Sequence, residues 1–148
     1  MLFPAFLLFF VFLETSAACS CDETAVEELY CAADWVGIFK IKEKIVNGTS
    51  PEAVLKYKAG VVKMFKNSNI SISNGFIVTL DTLASAGVCG LEWLEKKKMY
   101  FLSGKMDGKK FEMSMCNQVY VDEWKKVPQK IKRNLNTKAY DRCAKKSD

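Results

Sequence analysis

Six cysteines and the absence of histidine restrict what this 148-residue chain can fold into more than any other feature. An even cysteine count in a short secreted chain is typical of a framework of disulfides. Composition does not choose among the possible pairings. A chain without histidine has no Ser-His-Asp or Cys-His mechanism and no His-ligated metal site. The hydrophobic fraction of 49% excludes a disordered chain and allows one compact domain.

The apolar start of the chain predicts a signal peptide at residues 1–18. Leu2 to Leu13 is one apolar run, too short to span a bilayer and typical of a signal-peptide core. The small residues Ser16 and Ala18 then precede Cys19, as at a signal cleavage site. We therefore expect residues 19–148 to be one secreted, extracellular domain with three disulfides and no membrane segment.

The remaining pattern predicts a mainly β fold with flanking helices. Alternating apolar and polar residues, bounded by turn signals, predict strands at 35–46, 55–65, 76–80, 99–103 and 111–116. A capping-box pattern at Thr24 predicts a short helix that ends near Ala32. An apolar stripe over 120–135, divided by Pro128, predicts two short helices. Five strands with short connections predict a small closed barrel.

The end of the chain is basic, and two sequence motifs could accept glycans. Residues 122–148, the basic tail, contain nine Lys or Arg and four acidic residues. The tail is either a solvated helix face or a surface with affinity for sulfated polysaccharide or an acidic protein. Nucleic acid is not an expected partner of a secreted chain. Asn47 and Asn69 each begin an N-glycosylation acceptor motif.

Cleavage before Cys19 would create an N-terminal cysteine. Its free α-amine would have a pKa of about 7.7 to 8.0, so part of it is neutral at neutral pH. That nitrogen and the carbonyl oxygen of the same residue can close a five-membered chelate around a metal ion. Disulfides at Cys19 and Cys21 would hold Ser20 rigid between them and reduce the entropy lost on docking. The alternative is that this motif only fastens the terminus.

Several further motifs accompany Cys19-Ser20-Cys21. They are Cys31 to Val36, Val62 to Lys66, Val88-Cys89-Gly90, Cys116-Asn117 and Trp124. Together with the spacing of all six cysteines, they resemble the inhibitory N-terminal domain of the tissue inhibitors of metalloproteinases. The resemblance covers nearly all of residues 19–148. It implies a netrin-like OB-fold, a five-stranded barrel, and a protein that is not an enzyme.

The resemblance also implies roles for particular residues. It implies the disulfide pairing Cys19–Cys89, Cys21–Cys116 and Cys31–Cys143. The Cys19 amine and carbonyl would bind the catalytic zinc of a target protease, so the metal belongs to the partner and the chain needs no cofactor of its own. The Ser20 side chain would enter the specificity pocket. The inhibitory ridge would consist of Cys19, Ser20, Cys21, Asp22, Ala86, Gly87, Val88 and Cys89.

The leading hypothesis is therefore a secreted, monomeric inhibitor of zinc metalloendopeptidases. The expected targets are of the matrix metalloproteinase type or their disintegrin-containing relatives. The alternative is a non-inhibitory netrin-like module that binds matrix polysaccharide, a growth factor or a host receptor. Two residues depart from the family pattern, namely Asp22, close to where proline is usual, and Gly87, where a polar residue is more usual. Asp22 bears on affinity because burying an unpaired carboxylate is costly.

Overall fold

The computed structural model describes residues 19–50, 52–67 and 71–143. The predicted signal peptide, the acceptor Asn69 and the last five residues of the basic tail lie outside this part of the chain. Among the described residues, no helix is both long enough and apolar enough to cross a membrane.

Five strands form a closed ring. They are β1 (Trp35–Asn47), β2 (Val54–Asn67), β3 (Ile77–Leu83), β4 (Met99–Asp107) and β5 (Lys110–Glu112). The order around the ring is β1-β2-β3-β5-β4, and antiparallel pairing of β1 with β4 closes it. The short strand β6 (Asp122–Glu123) adds to β4. The predicted fold class, a five-stranded barrel of the OB type with three disulfides, is confirmed.

The barrel interior is filled by aromatic and aliphatic side chains at alternate strand positions, while the intervening residues either are polar and exposed or are buried in a second apolar cluster outside the barrel. Trp35, Phe39, Tyr57 and Tyr100 are fully buried there. The Trp35 indole donates a hydrogen bond to the carbonyl oxygen of Lys105 at 2.9 Å, so its one polar atom is satisfied inside the core. Strand alternation thus accounts for the central cluster.

Two helices pack on one side of the barrel around a second apolar cluster. They are α1 (Val26–Ala32) and α2 (Gln129–Asn136), and Ile131 and Leu135 of α2 are buried there. The predicted division at Pro128 is confirmed, because a 3-10 turn precedes this proline and α2 follows it. The predicted first helix is shorter than expected, since Asp122–Glu123 form β6 instead. The Cys31–Cys143 disulfide joins α1 to the end of the described chain.

Two local predictions are wrong. The capping box at Thr24 does not form, because α1 starts after Ala25 and the Thr24 hydroxyl donates to the Asp22 carbonyl instead. The strand predicted at 111–116 ends at Glu112. A 3-10 turn at Met115–Asn117 replaces the rest of it, and that turn carries Cys116 to its disulfide partner. Local alternation could not reveal this long-range connection.

Candidate inhibitory ridge

Two disulfides fasten the first described residues to two loops. Cys19 is joined to Cys89 with a Cα–Cα distance of 5.0 Å, and Cys21 is joined to Cys116 with 5.2 Å. The two bridges lie side by side, since the Cys89 and Cys116 sulfurs are 3.5 Å apart. Ser20 is therefore held between two anchors, and a docking surface built on it would lose little conformational entropy on binding.

The loop that carries Cys89 has its own local scaffold. Residues Ala86–Val88 form a 3-10 turn, and the Gly87 N–H donates a hydrogen bond to the Ser85 hydroxyl at 3.2 Å. Cys89 itself adopts a left-handed conformation with φ 63°. Gly90 then passes so close to the backbone of Leu83 that any side chain would overlap it. The hydrogen bond at Ser85 and the close packing at Gly90 therefore fix the conformation of this turn on both sides.

A buried polar network positions the second anchor. The Gln118 side-chain oxygen accepts a hydrogen bond from the Ser103 N–H at 3.0 Å, and its amide nitrogen donates to the Ser103 carbonyl at 2.7 Å. The Asn117 side chain accepts from the Ser114 N–H at 2.9 Å, which closes the turn around Cys116. This network ties the Cys116 segment to β4.

The predicted ridge residues all belong to this assembly. The structure brings 19–22 and 86–89 together through the Cys19–Cys89 bridge. Ser20, Cys21, Asp22, Ala86 and Gly87 are exposed, whereas Cys19, Val88 and Cys89 are half-buried. The backbone nitrogen and carbonyl oxygen of Cys19 make no hydrogen bond with the other described residues.

The sulfur atoms of the four cysteines in these two bridges are as close together as the ligands of a metal site, but they cannot bind a metal ion. All four sulfur atoms of Cys19, Cys21, Cys89 and Cys116 lie within 4.8 Å of one another. Metal ligation by cysteine requires thiolates, and sulfur atoms paired in disulfides have none to offer. The only metal-binding atoms that the ridge presents are backbone atoms and the side-chain oxygens of Ser20 and Asp22.

Part of the positive charge of the basic tail is neutralised within the fold. The Glu123 carboxylate pairs with Lys125 at 2.9 Å, Lys98 at 3.2 Å and Lys126 at 3.4 Å. These ammonium groups, Lys125 first, lower the pKa of Glu123 to about 2. The Lys132 ammonium lies 4.9 Å from the ring centre of Trp124. Among the described residues, four exposed tail cations form no ion pair, namely Lys130, Arg133, Lys138 and Arg142.

The sequence alone did not identify the residues that hold the two loops of the ridge in position. Gly90 belongs to the motif Val88-Cys89-Gly90, but the sequence does not indicate its close packing. Ser103 and Gln118 give no recognisable signal, because their importance depends on contacts across the fold. Of the two glycan acceptors, Asn47 is exposed at the end of β1. Glycan attachment at either acceptor stays a prediction.

A closed five-stranded barrel with the segment 19–21 disulfide-bonded to two loops is consistent with the netrin-like class of OB-folds. A family model, tissue inhibitor of metalloproteinase, matches residues 17–147. The chain therefore belongs to the tissue inhibitor of metalloproteinase family, whose members are inhibitors rather than enzymes. The resemblance drawn from the cysteine pattern is confirmed.

Relatives from three animals support the same assignment. Human metalloproteinase inhibitor 2 is 30% identical over 138 residues, which cover 88% of this chain and 60% of that protein. Metalloproteinase inhibitor 3 of Xenopus laevis is 24% identical over 137 residues, covering 92% and 62%. Caenorhabditis elegans tag-225, named provisionally as a metalloproteinase inhibitor, is 28% identical over 147 residues, covering 86% and 90%. The chain thus spans less than two thirds of the two vertebrate relatives.

Proposed function

We propose that this protein is a secreted inhibitor of zinc metalloendopeptidases that acts once residues 1–18 have been removed. The inhibitory group is the N-terminal Cys19, whose α-amine and carbonyl oxygen chelate the catalytic zinc of the protease. Ser20 enters the adjacent specificity pocket, and the loop 86–89 fills the cleft beside it. The protein acts as a monomer on proteases of the matrix metalloproteinase type or their disintegrin-containing relatives.

The observation that carries this proposal is the double anchoring of the segment 19–21. A short terminus that is free in solution would lose its conformational freedom on entering a cleft, at a cost of about 1–2 kcal/mol for each residue fixed. The Cys19–Cys89 and Cys21–Cys116 bridges impose most of that order before binding. A binding surface that is ordered in advance is what tight, reversible inhibition requires.

The donor atoms of Cys19 suit a zinc ion that belongs to another protein. Catalytic zinc sites keep one position open for water or substrate, and nitrogen and oxygen are both acceptable ligands there. The two Cys19 backbone atoms are free of internal hydrogen bonds within the described part of the chain. A deprotonated α-amine is accessible near neutral pH because the pKa of such a group is about 7.7 to 8.0.

Asp22 and Gly87 influence affinity without blocking the mechanism. Asp22 is exposed and forms no ion pair with the other described residues, so a complex that buries its carboxylate needs a cation or N–H donors on the protease. Gly87 is not in a left-handed conformation, and its N–H is fixed by the Ser85 hydroxyl. The loop is therefore ordered despite this glycine.

The decisive experiment compares two forms of the oxidised protein against a panel of zinc metalloproteinases. One form begins at Cys19, and the other carries a single additional alanine before it. We expect the first to inhibit, and we expect the alanine to weaken inhibition by at least about 30-fold, the loss of one hot-spot contact worth about 2 kcal/mol. Mass mapping of the three disulfides and equal melting temperatures control for folding.

The outcomes separate the two functional hypotheses. Equal inhibition by both forms would overturn the amine chelate. If a folded, fully oxidised Cys19 form inhibited no protease of the panel, the inhibitor proposal would fail. The non-inhibitory binding module would then become the favoured function.

A further inference from the structure

The two disulfides that fasten the ridge lie close enough to exchange partners. The sulfur atoms of Cys89 and Cys116, which belong to different bridges, are 3.5 Å apart. The sulfur atoms of Cys19 and Cys21, which also belong to different bridges, are 3.9 Å apart. These two contacts define a second complete pairing of the same four cysteines, namely Cys19–Cys21 with Cys89–Cys116.

The chemistry of disulfides allows neighbouring bridges to exchange. A thiolate attacks one sulfur atom of a disulfide, forms a bond to it and expels the other sulfur atom as a new thiolate. If the expelled thiolate lies beside a second disulfide, it can attack that bridge in turn. The four sulfur atoms of the ridge all lie within 4.8 Å of one another and satisfy this condition. The Cys31–Cys143 bridge is not part of this group, so exchange within the group leaves it unchanged.

One of the two bridges is open to attack from solution. Cys21 and Cys116, which form one bridge, are both exposed. Cys19 and Cys89, which form the other, are half-buried. Exposed disulfides are the ones that undergo exchange most readily, so we expect the Cys21–Cys116 bridge to be attacked first. All six cysteines of the chain are paired, and the attacking thiol must therefore come from another molecule.

The backbones of the two loops are already joined where the new bridge would form. The Met115 N–H donates a hydrogen bond to the Cys89 carbonyl oxygen at 2.8 Å. Cys116 follows Met115 directly, so the two cysteines lie on neighbouring segments. A Cys89–Cys116 bridge would therefore join two parts of the chain that the fold holds together without it.

The segment 19–24, by contrast, has few other attachments to the fold. Residues 20–25 are exposed. The backbone of 19–24 makes no backbone–backbone hydrogen bond with the other residues that the structure describes. The Thr24 hydroxyl donates to the Asp22 carbonyl, so that hydrogen bond lies within the segment. A pairing that joins Cys19 to Cys21 would therefore release the segment from both loops.

We propose that the ridge contains a thiol-triggered switch, in which its two bridges rearrange to Cys19–Cys21 and Cys89–Cys116. The trigger is a low-molecular-mass thiol that the reaction regenerates. The rearrangement separates the segment 19–21 from the loop 86–89, so the ridge is no longer one surface and inhibition is lost. The loss of inhibition rests on the proposed function, whereas the rearrangement itself does not.

The rearrangement is balanced and consumes no oxidant or reductant. The external thiolate bonds to the Cys21 sulfur, and the Cys116 thiolate leaves. That thiolate attacks the Cys89 sulfur, 3.5 Å away, and the Cys19 thiolate leaves. The Cys19 thiolate attacks the Cys21 sulfur, 3.9 Å away, and expels the external thiolate. Two disulfides are broken and two are formed, so a catalytic amount of thiol is sufficient.

The product is the same whichever sulfur atom of the exposed bridge is attacked first. Attack at Cys116 releases the Cys21 thiolate beside Cys19, and the Cys89 thiolate that leaves next lies beside Cys116. The last step again expels the external thiolate. The remaining pairing, Cys19–Cys116 with Cys21–Cys89, would leave the segment attached to both loops and would not act as a switch.

Tryptic mapping distinguishes the two states directly. Trypsin cleaves after lysine and arginine, so the first three cysteines share the peptide 19–40, and the other three lie in the peptides 67–96, 111–125 and 143–145. The pairing in the structure links all four peptides into one species. The rearranged pairing gives two species, one containing 67–96 with 111–125 and the other containing 19–40 with 143–145.

The test treats the oxidised chain that begins at Cys19 with reduced glutathione. About one-tenth of an equivalent is added at a pH of about 8, where part of the thiol is ionised. Free thiols are then blocked with iodoacetamide, and the protein is digested and mapped. We expect the rearranged protein to exceed the added glutathione by at least about threefold, because each thiol is released and acts again. Inhibition of a metalloproteinase should fall by the same fraction.

Two double variants that each lack one disulfide serve as matched controls. In Cys31→Ala with Cys143→Ala, the two adjacent bridges remain, so rearrangement should proceed as in the wild type. In Cys21→Ala with Cys116→Ala, the remaining ridge bridge has no neighbour, so its loss should not exceed the amount of thiol added. Mapping of the wild-type chain decides the question by itself if either variant does not fold.

Each outcome confirms or overturns a defined part of the proposal. A single four-peptide species after glutathione treatment would overturn it, and so would a loss of bridges that only equals the thiol added. A rearranged protein that still inhibits would overturn the switch. Mapping requires no protease, so a chain that never inhibits would refute the proposed function and leave the rearrangement to be decided by its map. An active inhibitor whose bridges do not rearrange would refute this inference alone.

Discussion

Gly90 offers the sharpest test of how the fold supports the ridge. A Cβ atom at this position would overlap the Leu83 carbonyl group, lying 2.6 Å from its carbon, and would lie 2.8 Å from the Ser85 carbonyl oxygen. These contacts are with backbone, so a change of rotamer cannot relieve them. Gly90→Ala therefore has to displace the chain beside Cys89. We expect a loss of about 1–3 kcal/mol in the free energy of unfolding, the usual cost of overpacking.

Gly87→Ala is the matched control for this substitution. It lies three residues earlier, and within the described part of the chain the only non-neighbouring atom within 4 Å of its Cβ position is the Ser85 hydroxyl oxygen at 3.5 Å, an ordinary contact. For a domain of this size, 1 kcal/mol shifts the melting temperature by about 4 °C, so Gly90→Ala should melt about 4–12 °C lower. Gly87→Ala should melt close to the wild type or slightly higher, since alanine restricts the unfolded chain.

Calorimetry measures both effects, and protease inhibition is measured below the transition of the weaker variant. Because Gly90 follows Cys89 directly, we expect inhibition to weaken in Gly90→Ala even where the protein is fully folded. A Gly90→Ala protein that melts within about 1 °C of the wild type would refute the reasoning, since the overlap would then cost nothing. A destabilised Gly87→Ala protein would refute it as well, because the structure leaves room there.

Two other perturbations test the electrostatics and the third disulfide. The pKa of Glu123 is lowered to about 2, so its ion pairs stabilise the fold above the ordinary carboxyl pKa, and this stability is lost as the pH falls toward 2. Urea unfolding at pH values of about 6, 4 and 2.5 should show a smaller loss on acidification in Glu123→Gln than in the wild type, and equal losses would contradict this assignment. Removal of the Cys31–Cys143 bridge by substitution of both residues with alanine should lower the free energy of unfolding by about 2–4 kcal/mol. Inhibition measured well below the melting temperature should be retained, because this bridge joins α1 to the end of the described chain and does not touch the ridge. Loss of inhibition in the folded variant would contradict this separation of the bridge from the ridge.

The strands could be predicted where the sequence alternates over a long stretch. In β2, lysines alternate with Leu55, Tyr57 and Ala59, and the barrel buries those three. The end of β5 could not be predicted, because a turn held by Ser114 and Asn117 replaces the apparent strand. The requirement for glycine at position 90 also depends on a distant part of the chain, the backbone of Leu83, which folds back against it. A local sequence pattern carries no information about contacts between residues that are distant along the chain.

More of the ridge itself could be predicted from the sequence than of the residues that support it, although the spacing of the cysteines alone was not sufficient. Composition left the pairing of the six cysteines open, and the family resemblance supplied the set of pairs that the structure also contains. That resemblance worked because the motif Cys19-Ser20-Cys21 and its partners Cys89 and Cys116 are recognisable as residue types. Ser103 and Gln118 support the same surface through ordinary polar contacts, which a motif does not specify.

The distribution of charge shows why a count along the sequence can misplace an electrostatic surface. The basic tail is conspicuous as a continuous run, yet the fold sets Glu123 among three lysines and places Lys132 against an indole ring. By contrast, Glu43 and Lys58 are distant in the sequence, but antiparallel pairing of β1 with β2 brings them into an ion pair on the outer surface of the barrel. The potential at a surface depends on which charges are near it and which of those are paired, and both are properties of the register.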